Sequence, residues 1–469
     1  MNKMCLGVIF GNRDFFPDHL ISEARKDIIS LFQEMNIDSV MLEEHETKLG
    51  SVETYHHSKI CADLFKKNRD RINGVLVVLP NFGDEKGVAD TIKLSGLNVP
   101  ILVQAYPDDL EKLNVERRRD AFCGKISVCN NLTQYGYDFS LTELHTIHPN
   151  SVSFKKDLEK FLGVCRVVNG LRSVRLGAIG ARPSSFNTVR YSEKILQNAG
   201  ITVVTVDLSE IIGDSSRLKD DAVKVKAKLE EIQSYAKHGG VPSNAMLRMA
   251  KLGVVISDWM EVNDIQATAL QCWTSLQKNY GINACTLMSM MSNQLLPSAC
   301  EVDITGVVSM YALQLASNSP SALVDWNNNY ADDPDRCVFF HCGNWAKSFI
   351  PDIEIKTAPI LGSTLGEENT YGAMAGGATA GPITYARVST DDVYGTISAY
   401  TGEGEITSDP LDTFGNRAVV HTPGLQKLLA YICRNGFEHH VAMTKNHVSS
   451  VITEAMENYL KWEVYSHEG

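Results

Sequence analysis

No run of apolar residues in this 469-residue chain is long enough to cross a membrane. The first apolar run covers only residues 4–10 before Gly11-Asn12-Arg13-Asp14, too short and wrongly flanked for a secretory leader. Excess positive charge is missing as well. Lys and Arg number 44 against 56 Asp and Glu, a net charge of −12, which excludes the basic face that nucleic acid requires. A small anionic ligand remains open, because a few local arginines suffice to hold it. There is no GxxxxGK[ST] and no GxSxG, and the glycines of 372–382 lack the strand–GxGxxG–helix setting of a dinucleotide site. No CxxC pair occurs among the eleven cysteines, whose number is odd and whose spacing is scattered. Several, such as Cys5, Cys272 and Cys433, sit in apolar runs where cysteine acts as a small hydrophobe, and the expected compartment is a reducing cytoplasm. No repeat of solenoid period is present.

What is present is alternation. CLGVIF (5–10), SVML (39–42), GVLVVLP (74–80) and PILVQAY (100–106) alternate with amphipathic segments. One of these, residues 21–35, is apolar at Ile21, Ala24, Ile28, Leu31 and Phe32. Apolar strands between helices imply a parallel sheet covered on both faces, so residues 1–170 read as a doubly wound, flavodoxin-like α/β domain. Ligands of such sheets lie at the carboxyl ends of strands, which singles out residues 11–14 and 80–83. The pattern restarts with VRLGAIG (174–180) and ITVVTVDLSEI, giving a second doubly wound α/β domain over 171–350 with a long helical pattern across 262–280. From 351 to 469, short alternating runs (ITYARVS, VYGTISAY) and glycine-rich turns predict a mainly antiparallel β domain closed by a helix near 447–460.

Ser298-Ala-Cys-Glu301-Val-Asp303-Ile-Thr sets two carboxylates ahead of a helical pattern. Asp303 reads as the N-cap of that helix, and Glu301 stands at the junction before it. Asp325 ends the apolar run Ala322-Leu-Val, and His341 lies near the end of VFFHCGN (338–344). Glu301, Asp325 and His341 thus come from the ends of consecutive elements, and oxygen ligands with imidazole suit Mn²⁺, Mg²⁺ or Co²⁺. Of the doublet His439-His440, at most one ring faces a given metal, and the residues alone suggest a loop pair. Asn435, beside Gly436, is a turn residue marked as a substrate contact only for its nearness to the doublet. Arg13 and Arg182 each follow the first strand of their domain, where paired hydrogen bonds would receive an anionic oxygen, although surface ion pairing is the plainer reading. The methionine-rich stretch from Met288 reads as packing.

The order Cys300-Glu301-Val-Asp303, Asp325 on a strand, His341, His439-His440 and the terminal Leu460-Lys-Trp-Glu-Val-Tyr465 resembles the L-fucose isomerase and L-arabinose isomerase superfamily. The resemblance spans most of the chain and is strongest across 290–345 and 436–465. It implies an aldose–ketose isomerase that uses Mn²⁺, with Co²⁺ or Mg²⁺ as alternatives, and a homo-oligomer, commonly a hexamer, whose neighbouring subunits complete each pocket. By position, Glu301 and Asp325 would be the carboxylate pair that binds metal and handles protons, and His440 would be a ligand. His341 would match a histidine of the arabinose branch, although its neighbours Cys342-Gly343-Asn344 differ. Asp325 stands where arabinose isomerases carry glutamate and fucose isomerases aspartate, so the sugar stays open. It is fucose- or arabinose-like or, if Arg13 or Arg182 lines the pocket, an acidic sugar such as sulfoquinovose.

The implied chemistry suits these residue types. Moving a proton between C2 and C1 through a cis-enediol demands a base for a weak carbon acid and a cation for the developing oxyanion. Two other classes remain on the residues alone: a sugar-binding or sensing protein without turnover, and a metal-dependent sugar lyase working through the same enediolate.

Overall fold

The computed structural model describes residues 3–469, which form two compact units. One comprises the chain up to Asn169 together with Asn458–Lys461. Its sheet contains β1 (Cys5–Gly11), β2 (Asp38–Val40), β3 (Ser51–Val52), β4 (Gly74–Leu79), β5 (Ile101–Ala105) and β6 (Ser140–Leu141), in the order β2-β1-β4-β5-β6 with β3 also on β1. Every pairing is parallel. Alternate residues of β1 serve opposite faces: Cys5 and Ile9 enter one apolar cluster, and Leu6, Val8 and Phe10 the other. The helix His19–Glu34 buries Ile21, Ala24, Ile28, Leu31 and Phe32, the stripe expected from the sequence. Each such side chain contributes about 1.5–3 kcal/mol by leaving water.

The other unit holds Gly170–Glu457 and Trp462–Gly469. It begins with a parallel sheet of β7 (Arg175–Ile179), β8 (Thr202–Val206), β9 (Ala267–Leu270) and β10 (Ser298–Ala299), ordered β10-β9-β7-β8. A sheet of nine strands follows: β11 (Ser321–Asn329), β12 (Arg336–His341), β13 (Glu354–Lys356), β14 (Ala373–Gly377), β15 (Gly381–Asp391), β16 (Thr396–Ile406), β17 (Asn416–His421), β18 (His440–Thr444) and β19 (Glu463–His467). Its order is β13-β14-β17-β12-β11-β18-β15-β16-β19, antiparallel except for β14 with β17 and β16 with β19. One buried cluster runs from Ile179 and Leu270 of the parallel sheet through Val324, Phe339 and Tyr385 of the larger one. The chain is therefore mixed α/β, with parallel-sheet parts followed by a mostly stranded carboxyl-terminal sheet.

The helical pattern at 262–280 is not one helix. The helix Ser243–Val262 stops before Asp264, whose φ of 52° lies in the left-handed region that halts a right-handed helix. The buried run Ala267–Leu270 then pairs between β7 and β10, and only Ser275–Tyr280 is helical again. Alanine and leucine fit either state, and two strand neighbours decide it. Among the described residues, no helix is long and apolar enough to cross a membrane.

Candidate active site

Four side chains meet inside the second unit, from both of its sheets. Glu301 follows β10, Asp325 lies on β11, His341 ends β12 and His440 opens β18. Strand pairing accounts for part of the meeting: Asp325 stands opposite His440 on one side and Phe340 on the other. Past His341 the chain needs glycine: at Gly343 φ is 136°, and a Cβ would lie 2.2 Å from the Met374 amide nitrogen.

Glu301 is delivered by an unusual backbone. Glu301 and Val302 both have φ of 54°, and for β-branched Val302 this is an outlier that costs about 1–3 kcal/mol. The turn is held by Asp303 N donating to the Cys300 carbonyl at 2.9 Å and by Val302 N donating to the Leu270 carbonyl at 3.3 Å. Glu301 Oε1 accepts from the Trp273 indole at 2.8 Å and from the Cys272 thiol at 3.4 Å. Among the described residues its Oε2 has no hydrogen-bond partner, and it lies 3.7 Å from both His341 Nε2 and His440 Nε2. Asp325 Oδ1 is likewise buried without a partner, 3.3 Å from His440 Nε2 and 3.6 Å from His439 Nε2.

The two buried histidines are set in opposite ways. His440 Nδ1 donates to Asp303 Oδ2 at 2.9 Å, which aims Nε2 at the carboxylates. His341 Nδ1 instead accepts from the Cys342 amide at 2.9 Å, so the neutral ring carries its proton on Nε2 and is a donor toward Glu301. Behind His440 lies a fully buried ionic chain. Arg387 gives Nη1 to Asp303 Oδ2 at 2.5 Å, Nη2 to Asp303 Oδ1 at 3.0 Å and Nε to Glu438 at 3.0 Å.

Burial pushes the Asp325 carboxyl up to about 7, against the pull of His440, and raises Glu301 for the same cause. Burial also opposes charge on His440, but its bond to Asp303 and the surrounding carboxylates outweigh it, to about 9. His341 falls to about 3 through burial and the neighbouring His440, so its ring is neutral. Asp303, despite burial, is held well below the usual carboxylate range by Arg387 and His440. Two carboxylates raised by burial, beside an imidazole whose Nε2 proton a metal would displace, form a site that a divalent cation would relieve. Two groups with ligand atoms within 4.8 Å of one another, Glu301–His341–His440 and Asp325–His439–His440, share His440, and the approach of Glu301 Oε2 and Asp325 Oδ1 to its Nε2 suits such an ion; oxygen and nitrogen donors favour a hard to borderline one.

The remaining expected residues lie elsewhere or play other parts. Asn435 is exposed and caps its own helix, its amide bonded to the Tyr431 carbonyl at 2.9 Å, and among the described residues nothing ties it to the cluster. Arg182 spends Nη1 on the Pro183 and Ser184 carbonyls, in a loop whose Phe186 packs on Trp273, His439 and His440 with ring centroids 5.4–5.8 Å apart. Arg13, in the first unit, pairs with Glu85 and Asp84 and lies 4.6 Å over the Phe82 ring. Asp303 does cap its helix, accepting from Gly306 N at 2.8 Å, and also anchors His440. Trp273, Arg387, Glu438 and Phe186 were not marked by the sequence. Arg387 left one trace, a charge inside the alternating strand run ITYARVS, which has to find a partner if that face is buried.

The chain's similarities agree with this architecture. Residues 7–172 match the family model for the fucose/sulfoquinovose isomerase N-terminal domain. Residues 339–468 match that for the L-fucose isomerase C-terminal domain. The sulfoquinovose isomerase of Priestia aryabhattai is 25% identical over 283 residues, 59% of this chain and 60% of that protein. That of Clostridium sp. (strain MSTE9) is 23% identical over 234 residues, 49% of this chain and 51% of its own. The matched stretch thus spans about three fifths or less of these curated relatives. Glu301 and Asp325 fall between the two matched segments, whereas His341 and His440 fall within the second. The two models together cover more than half of the sequence, and the chain belongs to the L-fucose isomerase-like superfamily.

Proposed function

We propose that this chain is an aldose–ketose isomerase that moves a proton between C2 and C1 of a sugar through a cis-enediol, with a divalent cation, Mn²⁺, as cofactor. The observation that carries the reading is the convergence of two buried carboxylate oxygens, unpartnered among the described residues, on His440 Nε2. Glu301, Asp325 and His440 would hold the cation, which when bound would stabilise charge developing on the sugar's O1 and O2.

The chain's own groups supply the rest. Besides holding the cation, the Glu301 and Asp325 carboxylates would handle protons, one to take the carbon-bound proton and the other to carry protons between oxygens. Trp273 fixes Glu301 by Oε1, so that Oε2 keeps its aim. His341 belongs to a group with Glu301 and His440 whose ligand atoms lie within 4.8 Å of one another, and its Nδ1, accepting the Cys342 amide, favours the role of an Nε2–H donor to an oxygen at the site over that of a ligand. Asp303, tied down by Arg387, keeps His440 in the tautomer whose Nε2 is open.

For the substrate we propose an acidic sugar of the sulfoquinovose type, ahead of fucose- or arabinose-like sugars. The curated relatives that match carry that activity in their names. Arg182 sits in the loop that packs on the site through Phe186, with Nη2 and Nε not engaged by the loop carbonyls it holds. Arg13 is the second candidate for the anionic group, and a homo-oligomer is the expected form, to be measured by light scattering. The test is turnover of sulfoquinovose, L-fucose and L-arabinose by chelated and Mn²⁺-restored protein, with products identified. Ketose from the anionic sugar supports the reading; cleaved products mark a lyase, and binding without conversion a sugar sensor, and either overturns it.

A further inference from the structure

Glu301 has a second side. While Oε2 faces the histidines, Oε1 faces sulfur: the Cys272 thiol is 3.4 Å away, and Cys300, adjacent in sequence, joins it. The Cys272 and Cys300 sulfurs and a Glu301 oxygen all lie within 4.8 Å of one another, and all three residues are buried. Cys285 and Cys342 stand near enough to Cys272 to interact electrostatically with it. Strand geometry builds the pair. β9 and β10 run parallel, with Ala269 opposite Ala299, so Cys272 and Cys300 leave the same end of adjacent strands.

We propose that Cys272, Cys300 and Glu301 Oε1 form a site for a thiophilic divalent cation of the zinc type, next to the oxygen- and nitrogen-lined site and distinct from it in donor chemistry. The dimensions agree. In a tetrahedral zinc site with Zn–S of about 2.3 Å and Zn–O of about 2.0 Å, sulfur–oxygen edges are about 3.5 Å and sulfur–sulfur edges about 3.8 Å. The Cys272–Glu301 separation of 3.4 Å already matches the first. Glu301 Oε1 has a lone pair for the ion besides the one taken by the Trp273 indole. Binding replaces two thiol protons, which leave to solvent, and the fourth position falls to water or a neighbouring thiol. A cation here withdraws charge from Glu301, so occupancy slows turnover; that consequence rests on the isomerase reading, whereas the binding does not.

The experiment uses the full chain, freed of metal by chelator, saturated with Mn²⁺ and titrated with Cd²⁺. The expected result is a thiolate-to-cadmium charge-transfer absorption that saturates at about one equivalent. It persists in C123S/C433S, which lacks the exposed thiols, and disappears in C272A/C300A. If the double variant does not fold, C272A and C300A singly should each weaken Cd²⁺ binding at least tenfold in competition with a chelator. No absorption in the unaltered chain overturns the proposal, as does an absorption lost only in C123S/C433S, or unchanged affinity in both single variants. Because the readout is absorption, an enzyme inactive on every sugar leaves this result standing or falling by itself.

Discussion

Asp303→Asn separates charge from shape at the base of the site. Asparagine has the size of aspartate and can still cap Gly306, so the helix Ile304–Ser317 keeps its start. What changes is the Oδ2 position, which now accepts from Arg387 at 2.5 Å and from His440 at 2.9 Å. An amide NH₂ there would meet two donors. Two charge-assisted hydrogen bonds at about 1.5–3 kcal/mol each set the scale of the loss, and breaking one partner of a buried pair costs about 3–5 kcal/mol. Glu438 still pairs with Arg387, so the lower end, about 3 kcal/mol, is expected in urea unfolding. The second effect is sharper. An amide N–H facing His440 Nδ1 moves the ring proton to Nε2 and closes the lone pair aimed at Glu301 and Asp325. Mn²⁺ affinity, read by calorimetry, should fall about 10–100-fold. Asp303→Ala loses the cap, costing about 1 kcal/mol more, but imposes no tautomer and should retain more metal affinity than the asparagine variant. Equal Mn²⁺ affinity in wild type and D303N, or weaker binding in D303A than in D303N, would refute the reasoning.

Three further outcomes follow from single contacts. Glu301→Gln should cut kcat by about 10²–10⁴ while leaving the unfolding midpoint no lower, since the charge removed has a buried, unpartnered oxygen; a fully active variant would contradict its role. Arg182→Met should raise KM for sulfoquinovose by about 10–100-fold, the worth of hydrogen bonds to a charged group, and leave any turnover of neutral sugars nearly unchanged; equal effects on both would remove Arg182 from anion recognition. In the first unit, Lys125 is buried, donates to Thr142 Oγ1 at 2.7 Å, and is lowered by burial from 10.5 to about 8. Between those values the unfolded chain holds a proton that the folded one lacks, so this lysine's contribution to stability rises with pH across about 8 to 10.5. Measured as wild type minus Lys125→Met in denaturant unfolding, the rise should approach about 3 kcal/mol, and a flat difference would dismiss it.

The sequence made legible what local pattern controls. Apolar runs announced β1, β2, β4, β5, β7 and β8 of the parallel sheets but not the short β3, β6, β9 and β10, and a 3.6-residue stripe announced the helix His19–Glu34. The residues 262–280 misread because Ala267–Leu270 is short, buried and unbranched at most positions, so only its strand neighbours select extended backbone. In the site, strand-end positions pointed to Glu301 and His341; Asp325 read as a strand end because its apolar run stops there, but β11 continues to Asn329 and Asp325 lies at its middle, and the family resemblance added His440. The supporting residues were hidden because their roles are tertiary. Arg387 and Asp303 are 84 positions apart, Trp273 and Glu301 28, and neither pairing has a local signature. Asp303 looked like a cap and is one; that it also orders His440 depends on β18 arriving beside it.

The most direct test of the central claim is the product formed from sulfoquinovose in D₂O, followed by NMR with metal-free and Mn²⁺-restored protein. No conversion is expected after chelation and, with Mn²⁺, the corresponding 2-ketose carrying solvent deuterium at C1, because Glu301 and Asp325 pass the proton through exchangeable carboxyl groups. Conversion that is unaffected by removing metal, or no ketose from any of the three sugars with Mn²⁺ restored, would contradict that claim.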